Sequence, residues 1–267
     1  MKLSRKLLLV PVLLVVVFIT SCILHEEPKG TIQFTVTFPG GDNYQQCTIP
    51  EGTDRFAILI YDINHPDLQP KYTEIVGEPG ETVTVEIEIP IGTYEVVVSA
   101  TKQEIYLPSL MYDETLVILA GGKSDPVEVL DGELVQAIVV LEEVIWDNLD
   151  YPSEVIKGTV YSFGACFSGP SVLVRNNPAL IGAAFDENND PISFDGSKLM
   201  AISADWVSQT EDHYCCNGEI RINDFEETGK VRFFFMAPSQ GGMLVSPAME
   251  ANLVKEDSET GIVIIIQ

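Results

Sequence analysis

Basic residues are scarce in this chain. It has 15 lysines and arginines against 40 aspartates and glutamates in 267 residues, a formal net charge of −25. Such a surface repels nucleic acid and anionic lipid headgroups, so nucleic acid is excluded as a preferred partner. Apolar residues still make up 46% of the sequence, too many for a disordered chain. The acids are spread along predicted strands, where they indicate solvated faces.

The sequence also lacks the short motifs of common enzyme classes. It contains no Gly-x-Ser-x-Gly, His-Glu-x-x-His, P-loop or Gly-x-Gly-x-x-Gly pattern. The three histidines, His25, His65 and His213, are scattered along the chain. Two carboxylates can hydrolyse a glycoside, but no pair among 40 acids is singled out by its spacing. We therefore expect a non-catalytic protein that needs no cofactor.

The first 22 residues have the three parts of an export signal. Lys2, Arg5 and Lys6 form a basic start, residues 7–19 are apolar, and small residues lead to Cys22. An apolar helix of that length rises about 20 Å, which is short of the ~30 Å hydrocarbon core of a bilayer. The segment therefore predicts a cleaved signal peptide rather than a membrane-spanning helix.

Residues 19–22, Ile-Thr-Ser-Cys, resemble the lipobox of bacterial lipoproteins. The resemblance implies removal of a signal peptide of residues 1–21 and acylation of Cys22, whose several acyl chains would hold the protein to a bilayer. Residue 23 is Ile rather than Asp, which in such lipoproteins permits sorting to an outer membrane. The expected location is the cell membrane or outer membrane, outside the cytoplasm, with residues 22–29 as a short tether.

Residues 30–142 predict a first β domain. Residues 30–38 and 83–89 alternate between apolar and polar side chains, the pattern of half-buried strands. Glycine, proline and aspartate punctuate the chain between about seven short strands, which favours a β-sandwich. One of these strands is predicted at 134–141.

A hairpin is predicted at residues 89–96, Ile-Pro-Ile-Gly-Thr-Tyr-Glu-Val, between the strands at 83–89 and 93–100. With residues 127–133, Val-Glu-Val-Leu-Asp-Gly-Glu, it resembles the prealbumin-like and immunoglobulin-like domains of bacterial surface lipoproteins. The resemblance implies β-sandwich domains on a lipid-anchored protein.

Residues 143–156 interrupt the strand pattern with polar residues and a proline, so we expect an interdomain linker there. Residues 157–267 predict a second β-sandwich, which includes a short strand at 171–174 and a final hairpin that ends in a strand at 261–266. Ser246 followed by a proline indicates a possible short helix at 246–250. The fold class is thus all-β, with two tandem β-sandwich domains after a cleaved lipoprotein signal peptide.

Cysteines beyond Cys22 predict a disulfide, because export leads to an oxidising compartment. The four are Cys47, Cys166, Cys215 and Cys216, and they allow three connectivities. We favour a bridge from Cys166 to one of the adjacent pair, with Cys47 either free or joined to the other. A metal site of Cys166, Cys215 and Cys216 with His213 is the alternative, but adjacent cysteines point apart on a strand.

Asp186, Asn188 and Asp190 have the alternate spacing of a calcium-binding loop. A proline occupies the glycine position of that loop, and a serine occupies the position of its bidentate acid. The sequence therefore favours an Asx-rich turn between two strands, with calcium as the weaker hypothesis.

Aromatic residues near carboxylates are candidate contacts for a sugar ring. They are Trp146, Trp206 and Tyr214. Packing into the core or into a domain interface is the simpler expectation for all three.

The combined interpretation is a membrane-anchored cell-envelope lipoprotein with a non-catalytic structural or binding role. Its expected partners are the lipid bilayer, through acylated Cys22, and an unidentified envelope protein or glycan. A carbohydrate-binding surface lipoprotein is the alternative, and a glycoside-type hydrolase is less favoured. A fimbrial-type subunit is a further alternative, and it would show an exchangeable edge strand or groove. The predicted final strand completes the second sandwich, which argues mildly against this alternative.

Replacement of Cys22 by Ser tests the anchor. We expect protein from native membranes to have the mass of residues 22–267 plus diacylglyceryl and acyl groups, and the Cys22→Ser variant to lose both the lipid and membrane retention. Intact mass spectrometry of membrane and soluble fractions measures this. A wild-type protein of mature mass without lipid would contradict the prediction.

Overall fold

The computed structural model describes residues 28–38, 49–104, 115–156, 158–174, 176–186, 188, 190–192, 200–210, 212–222 and 229–254. The predicted signal peptide, Cys22, Cys47 and the predicted strand at 261–266 lie outside these residues. Most of the described chain is β-strand in several sheets, so the predicted all-β fold is confirmed.

In the described part of the chain, nine strands precede residue 144. They are β1 (Lys29–Thr37), β2 (Arg55–Asp62), β3 (Lys71–Val76), β4 (Thr82–Pro90), β5 (Gly92–Glu104), β6 (Thr115–Lys123), β7 (Val127–Val129), β8 (Leu134–Gln136) and β9 (Glu142–Glu143).

Eleven further strands follow. They are β10 (Ile145–Asp150), β11 (Glu154–Ile156), β12 (Val160–Ser168), β13 (Ala179–Phe185), β14 (Pro191–Ile192), β15 (Met200–Ser203), β16 (Asp205–Gln209), β17 (His213–Arg221), β18 (Gly229–Ser239), β19 (Gly242–Val245) and β20 (Met249–Val254).

The first sandwich is built from β1 to β9. One sheet has the order β4-β1-β8, and the facing sheet has the order β3-β2-β5-β6, with β7 paired to the start of β5. The period-two pattern of β1 turns Ile32 and Phe34 inward, against Phe56 and Ile58 of β2. Its polar residues face outward, where Thr35 meets Thr84 of β4.

The predicted hairpin between residues 83–89 and 93–100 is wrong. β4 pairs with β1, whereas β5 pairs with β2, β6 and β7, so the chain crosses from one sheet to the other at residues 90–92. The crossing lets Ile87 and Val96 enter the same core from opposite sheets. The Tyr94 hydroxyl donates a hydrogen bond to the Pro90 carbonyl at 3.0 Å and holds this corner.

The second sandwich faces the sheet β10-β12-β17-β16 against the sheet β11-β20-β18-β13. The Phe163 and Phe233 ring centroids lie 4.2 Å apart in its core. β13 and β18 also bury their opposite face, through Ile181 and Phe234 among others. Burial on both faces explains why these two strands are almost continuously apolar rather than alternating.

Three predictions about the second half need correction. The expected linker at 143–156 contributes β10 and β11, because Trp146 and Leu149 turn toward the second core while their neighbours stay exposed. Residues 171–173 form a 3-10 helix rather than a strand. No helix forms at 246–250, because the buried Ser246 hydroxyl accepts a hydrogen bond from the Phe235 amide and joins the chain to β18.

The β18–β19 turn connects the two sandwiches. The Ser99 hydroxyl on β5 donates a buried 2.6 Å hydrogen bond to the Gln240 carbonyl in this turn. Gly241 has a φ of 80° and packs so closely on Ala57 of β2 that a side chain would collide with it. Beside the turn, β19 pairs with β6 at Met243 and Val117, so one sheet runs through both sandwiches.

Gly241→Ala should therefore destabilise the protein more than Gly158→Ala. Both glycines have a φ of 80°, but a side chain at Gly158 meets nothing within 4 Å. The strained backbone costs about 1–2 kcal/mol in each variant, and overpacking at Gly241 adds about 1–3 kcal/mol. Urea unfolding midpoints at an unchanged m-value measure the difference. Equal losses in the two variants would mean that the turn does not pack tightly on the first sandwich.

Candidate functional site

The first sandwich is open along one side of β1. β8 pairs with β1 only from Thr31 to Gln33, whereas β4 follows β1 on its other side as far as Thr37. After β8 the chain crosses to the other sheet, where Val139 bridges to Ser124 and β9 pairs with β6. No described residue pairs with β1 beyond Gln33 on the β8 side.

The open edge presents backbone hydrogen-bonding groups. The Thr31 amide donates to the Glu133 carbonyl beside β8, while the Phe38 amide donates to Glu81 beyond the end of β4. Backbone groups alternate between the two sides of a strand, so those of Thr35 and Thr37 point away from β4. This edge can therefore accept one further strand.

A groove of about 400 Å³ lies beneath this edge. Its floor comes from Phe56, Ile58 and Val98 of the facing sheet. Its walls come from β1 and from the crossing segment, residues 137–141. The lining residues are Phe34, Thr35, Val36, Thr37, Ile49, Phe56, Ile58, Val98, Ala137, Val139, Val140 and Leu141. Among the described lining residues, only the threonines have polar side chains, so the groove suits apolar side chains.

The crossing segment also exposes apolar side chains to solvent. Ile138 is 80% exposed and Val140 is 72% exposed, while Val139 and Leu141 turn toward the first core. Neighbouring exposed apolar side chains beside a groove are typical of an interaction surface. A strand at 134–141 was predicted, but this surface was missed. Its signal is the unbroken apolar run of residues 137–141, which lacks the polar alternation of the other half-buried strands.

The three candidate sugar-binding aromatic residues come together around Phe167. Ring centroids of Trp146, Tyr214 and Trp206 lie 5.0, 5.3 and 5.9 Å from that of Phe167. Tyr214 is buried, and the two tryptophans are half-buried. The Trp206 indole N–H donates a hydrogen bond to the Asn176 carbonyl at 2.9 Å. The cluster thus packs ring against ring, as expected for a core.

The favoured type of disulfide is present, between Cys166 and Cys215. These residues lie directly opposite each other on β12 and β17. Cys216 points to the other face of β17, into the core, and its thiol contacts the Ala165 carbonyl. Burial raises the pKa of the Cys216 thiol to about 12, so this thiol stays protonated and unreactive at neutral pH.

His213 lies between the disulfide and a carboxylate. Its Nδ1 atom is 3.9 Å from the Cys215 sulfur, and its Nε2 atom is 3.2 Å from an Asp147 carboxylate oxygen. The Ser168 hydroxyl donates to the same carboxylate at 3.3 Å. All of these groups are partly exposed on the outer face of the second sandwich. The sequence had grouped His213 with the cysteines, but Asp147 is far away in the chain and was not anticipated.

The candidate calcium residues form a closed turn. One Asp186 carboxylate oxygen accepts hydrogen bonds from the amides of Asn188 and Asp190, both at 2.8 Å. The Asp186 amide in turn donates to the Asp190 carbonyl at 2.9 Å. This is the pattern of an Asx turn, the arrangement that the sequence favoured.

Among the described carboxyl groups, two have a shifted pKa, and both shifts are downward. A hydrogen bond from His65 lowers the pKa of Asp62, and hydrogen bonds from Lys230 and then Arg232 lower the pKa of Glu250. A glycosidase general acid needs a raised pKa instead. Neither residue therefore suits the acid role of a hydrolase.

Comparisons with known proteins assign no family. The sequence matches no protein-family model and no curated protein. A candidate adhesin of Bacteroides thetaiotaomicron VPI-5482 is 11% identical, with 84% of this chain and 81% of that chain covered and a TM-score of 0.26. The fimbrial anchor protein Mfa2 of Porphyromonas gingivalis is 9% identical, with 76% and 77% covered and a TM-score of 0.26. A red sea bream transglutaminase matches as loosely, at 8% identity, 86% and 30% coverage and a TM-score of 0.26.

Within the described ranges, no helix is long and apolar enough to span a bilayer.

Proposed function

We propose that this protein is a non-catalytic component of the bacterial cell envelope that binds another envelope protein through β1. Acylated Cys22 would hold it to the membrane, and the partner would add one extended strand to the edge at Thr35 and Thr37. The observation that carries the proposal is this open edge above an apolar groove. The first sandwich would present the groove close to the membrane, since the tether of residues 22–29 is short.

The chemistry of the groove specifies what it would bind. Backbone groups of a partner strand would form hydrogen bonds with those of Thr35 and Thr37. These hydrogen bonds would give affinity that does not depend on the partner's sequence. Alternate side chains of that strand would point into the groove and meet its half-buried lining residues Val36, Val139 and Leu141. The expected ligand is therefore an extended segment with small or branched apolar residues at every second position.

The charge of the chain favours a different protein over a second copy of itself. Removal of residues 1–21 takes away Lys2, Arg5 and Lys6, so each mature copy has 12 basic and 40 acidic residues, a formal net charge of −28, and two copies repel each other. None of the described residues that line the groove has a charged side chain that would offset this repulsion. A less acidic envelope protein is the better candidate.

The carbohydrate-binding alternative has less support. It depends on Trp146, Trp206 and Tyr214, whose rings pack around Phe167. The hydrolase alternative needs a carboxylic acid with a raised pKa, whereas Asp62 and Glu250 shift the other way.

Photo-crosslinking in the native host tests the proposal. A benzoylphenylalanine in place of Ile138 should give one discrete adduct with an envelope protein, because Ile138 borders the groove and is 80% exposed. The matched control is the same residue in place of Leu68, which is 62% exposed on a loop outside the groove. This control should give no such adduct.

A charge in the groove wall should abolish the adduct. Val140→Asp places a carboxylate at a position that is 72% exposed, so it should change the free energy of unfolding by no more than about 0.5 kcal/mol. We expect the adduct at position 138 to disappear in this variant while urea unfolding stays the same. Identical adducts at positions 138 and 68, or an adduct that survives Val140→Asp, would overturn the proposal.

A further inference from the structure

We propose that Cys166, Cys215 and His213 form a binding site for a thiophilic divalent metal ion such as Zn²⁺, closed while the disulfide is intact and opened when a dithiol reduces it. The site lies on the outer face of the second sandwich. It is independent of the groove in the first sandwich and of the proposed strand binding.

The strands place three soft ligands on one face. Cys166 and Cys215 are direct partners on β12 and β17, and His213 lies two residues before Cys215, on the same side of its strand. The two sulfurs and a ring nitrogen of His213 all lie within 4.8 Å of one another. All three residues are partly exposed, so an ion can reach them without opening the core.

The separation between the Cys215 sulfur and the His213 ring nitrogen is close to that around a tetrahedral zinc ion. Zn–S bonds of about 2.3 Å and Zn–N bonds of about 2.0 Å put two sulfurs about 3.8 Å apart and a sulfur and a nitrogen about 3.6 Å apart. His213 Nδ1 is already 3.9 Å from the Cys215 sulfur. After reduction, side-chain rotation alone separates the two sulfurs, because the paired strands hold both backbones in place. Three protein ligands leave a fourth position for water or an exogenous ligand.

Asp147 orients the imidazole for this role. Its carboxylate lies 3.2 Å from Nε2, which leaves Nδ1 as the nitrogen that faces the sulfurs. The Ser168 hydroxyl donates a hydrogen bond to the same Asp147 oxygen at 3.3 Å and so helps to hold the carboxylate in place. A carboxylate on the distal nitrogen is the usual support of a metal-bound histidine, because it sets the tautomer and the ring angle. Asp147 is thus a positioning residue rather than a ligand.

The chemical step balances with a dithiol as reductant. The dithiol gives two electrons and two protons, its own sulfurs join in a disulfide, and the Cys166–Cys215 bond breaks into two thiols. The metal ion then displaces both thiol protons, and the two thiolates neutralise its charge. Cys216 takes no part, because it points into the core on the opposite face of β17.

Cobalt titration of the full mature chain tests the site. Protein is reduced with dithiothreitol, freed of reductant by anaerobic gel filtration and titrated with Co²⁺. We expect the thiolate-to-cobalt charge-transfer band and the visible bands of tetrahedral Co²⁺, with one ion per chain. Oxidised protein should show neither. Circular dichroism on the same samples reports whether the reduced chain keeps its β structure.

Single variants separate the roles. His213→Ala should weaken Co²⁺ binding at least tenfold, and Asp147→Ala by about tenfold. The matched control is His65→Ala, which removes the other histidine paired with a carboxylate, Asp62, and should leave binding unchanged. The double variant Cys166→Ser, Cys215→Ser keeps the remaining cysteines, so it measures the background Co²⁺ binding by those cysteines.

Three results would each overturn the proposal. One is a reduced protein with no charge-transfer band above the double-variant background. Another is a His213→Ala variant that binds Co²⁺ as the wild type does. The third is a reduced chain that loses its β-sheet circular dichroism even with Co²⁺ present, because the site needs β12 and β17 to stay paired.

Discussion

β1 is paired over a longer stretch on one side than on the other, and both the open strand edge and the groove result from this difference. On one side, β4 follows β1 as far as Thr37, while on the other β8 stops at Gln33. The chain then crosses to the facing sheet, where Val139 bridges to Ser124. A strand edge and an apolar groove remain where the two sheets separate. Burial of Ile32 and Phe34 holds β1 in register, so the open edge belongs to a rigid strand rather than to a loose terminus.

Local pattern in the sequence predicted much of this fold. Strict alternation marked β1, β4 and β5, and turn residues marked their ends, because both signals depend only on neighbours in the chain. Which strands pair with each other was harder to predict from the sequence. Residues 89–96 have the composition of a hairpin, yet the chain there passes between sheets, and only the partners β1 and β2 decide which occurs. Residues 145–150 seemed too polar for a strand because an edge strand buries few of its side chains.

The candidate sites were predicted unevenly for the same reason. The bridge at Cys166 followed from the number of cysteines and the expected compartment, but its partner was left open between two adjacent residues. The strand register selects Cys215 and turns Cys216 inward. The contact between Asp147 and His213 and the groove at Thr35 each bring together segments that are about seventy or more residues apart in the chain. No local sequence pattern contains such a long-range contact.

We infer a different role for each of the two sandwiches. The first carries the open strand edge, and the second carries the disulfide with its imidazole and carboxylate. The β18–β19 turn joins them through Ser99 and Gly241, and a shared sheet runs across the junction. This connection would keep the groove at a fixed orientation relative to the rest of the molecule, which suits a structural or binding role more than one that needs domain closure.

Hydrogen exchange at single amides of β1 tests the central claim most directly. The amides of Phe34 and Val36 face β4, whereas those of Thr35 and Thr37 face the open side. In the isolated protein, the two threonine amides should exchange roughly a hundredfold or more faster than their neighbours, because no strand in the described part of the chain pairs with them. Equal protection of all four amides would show that the edge is already occupied, and would contradict the proposal that it awaits a partner strand.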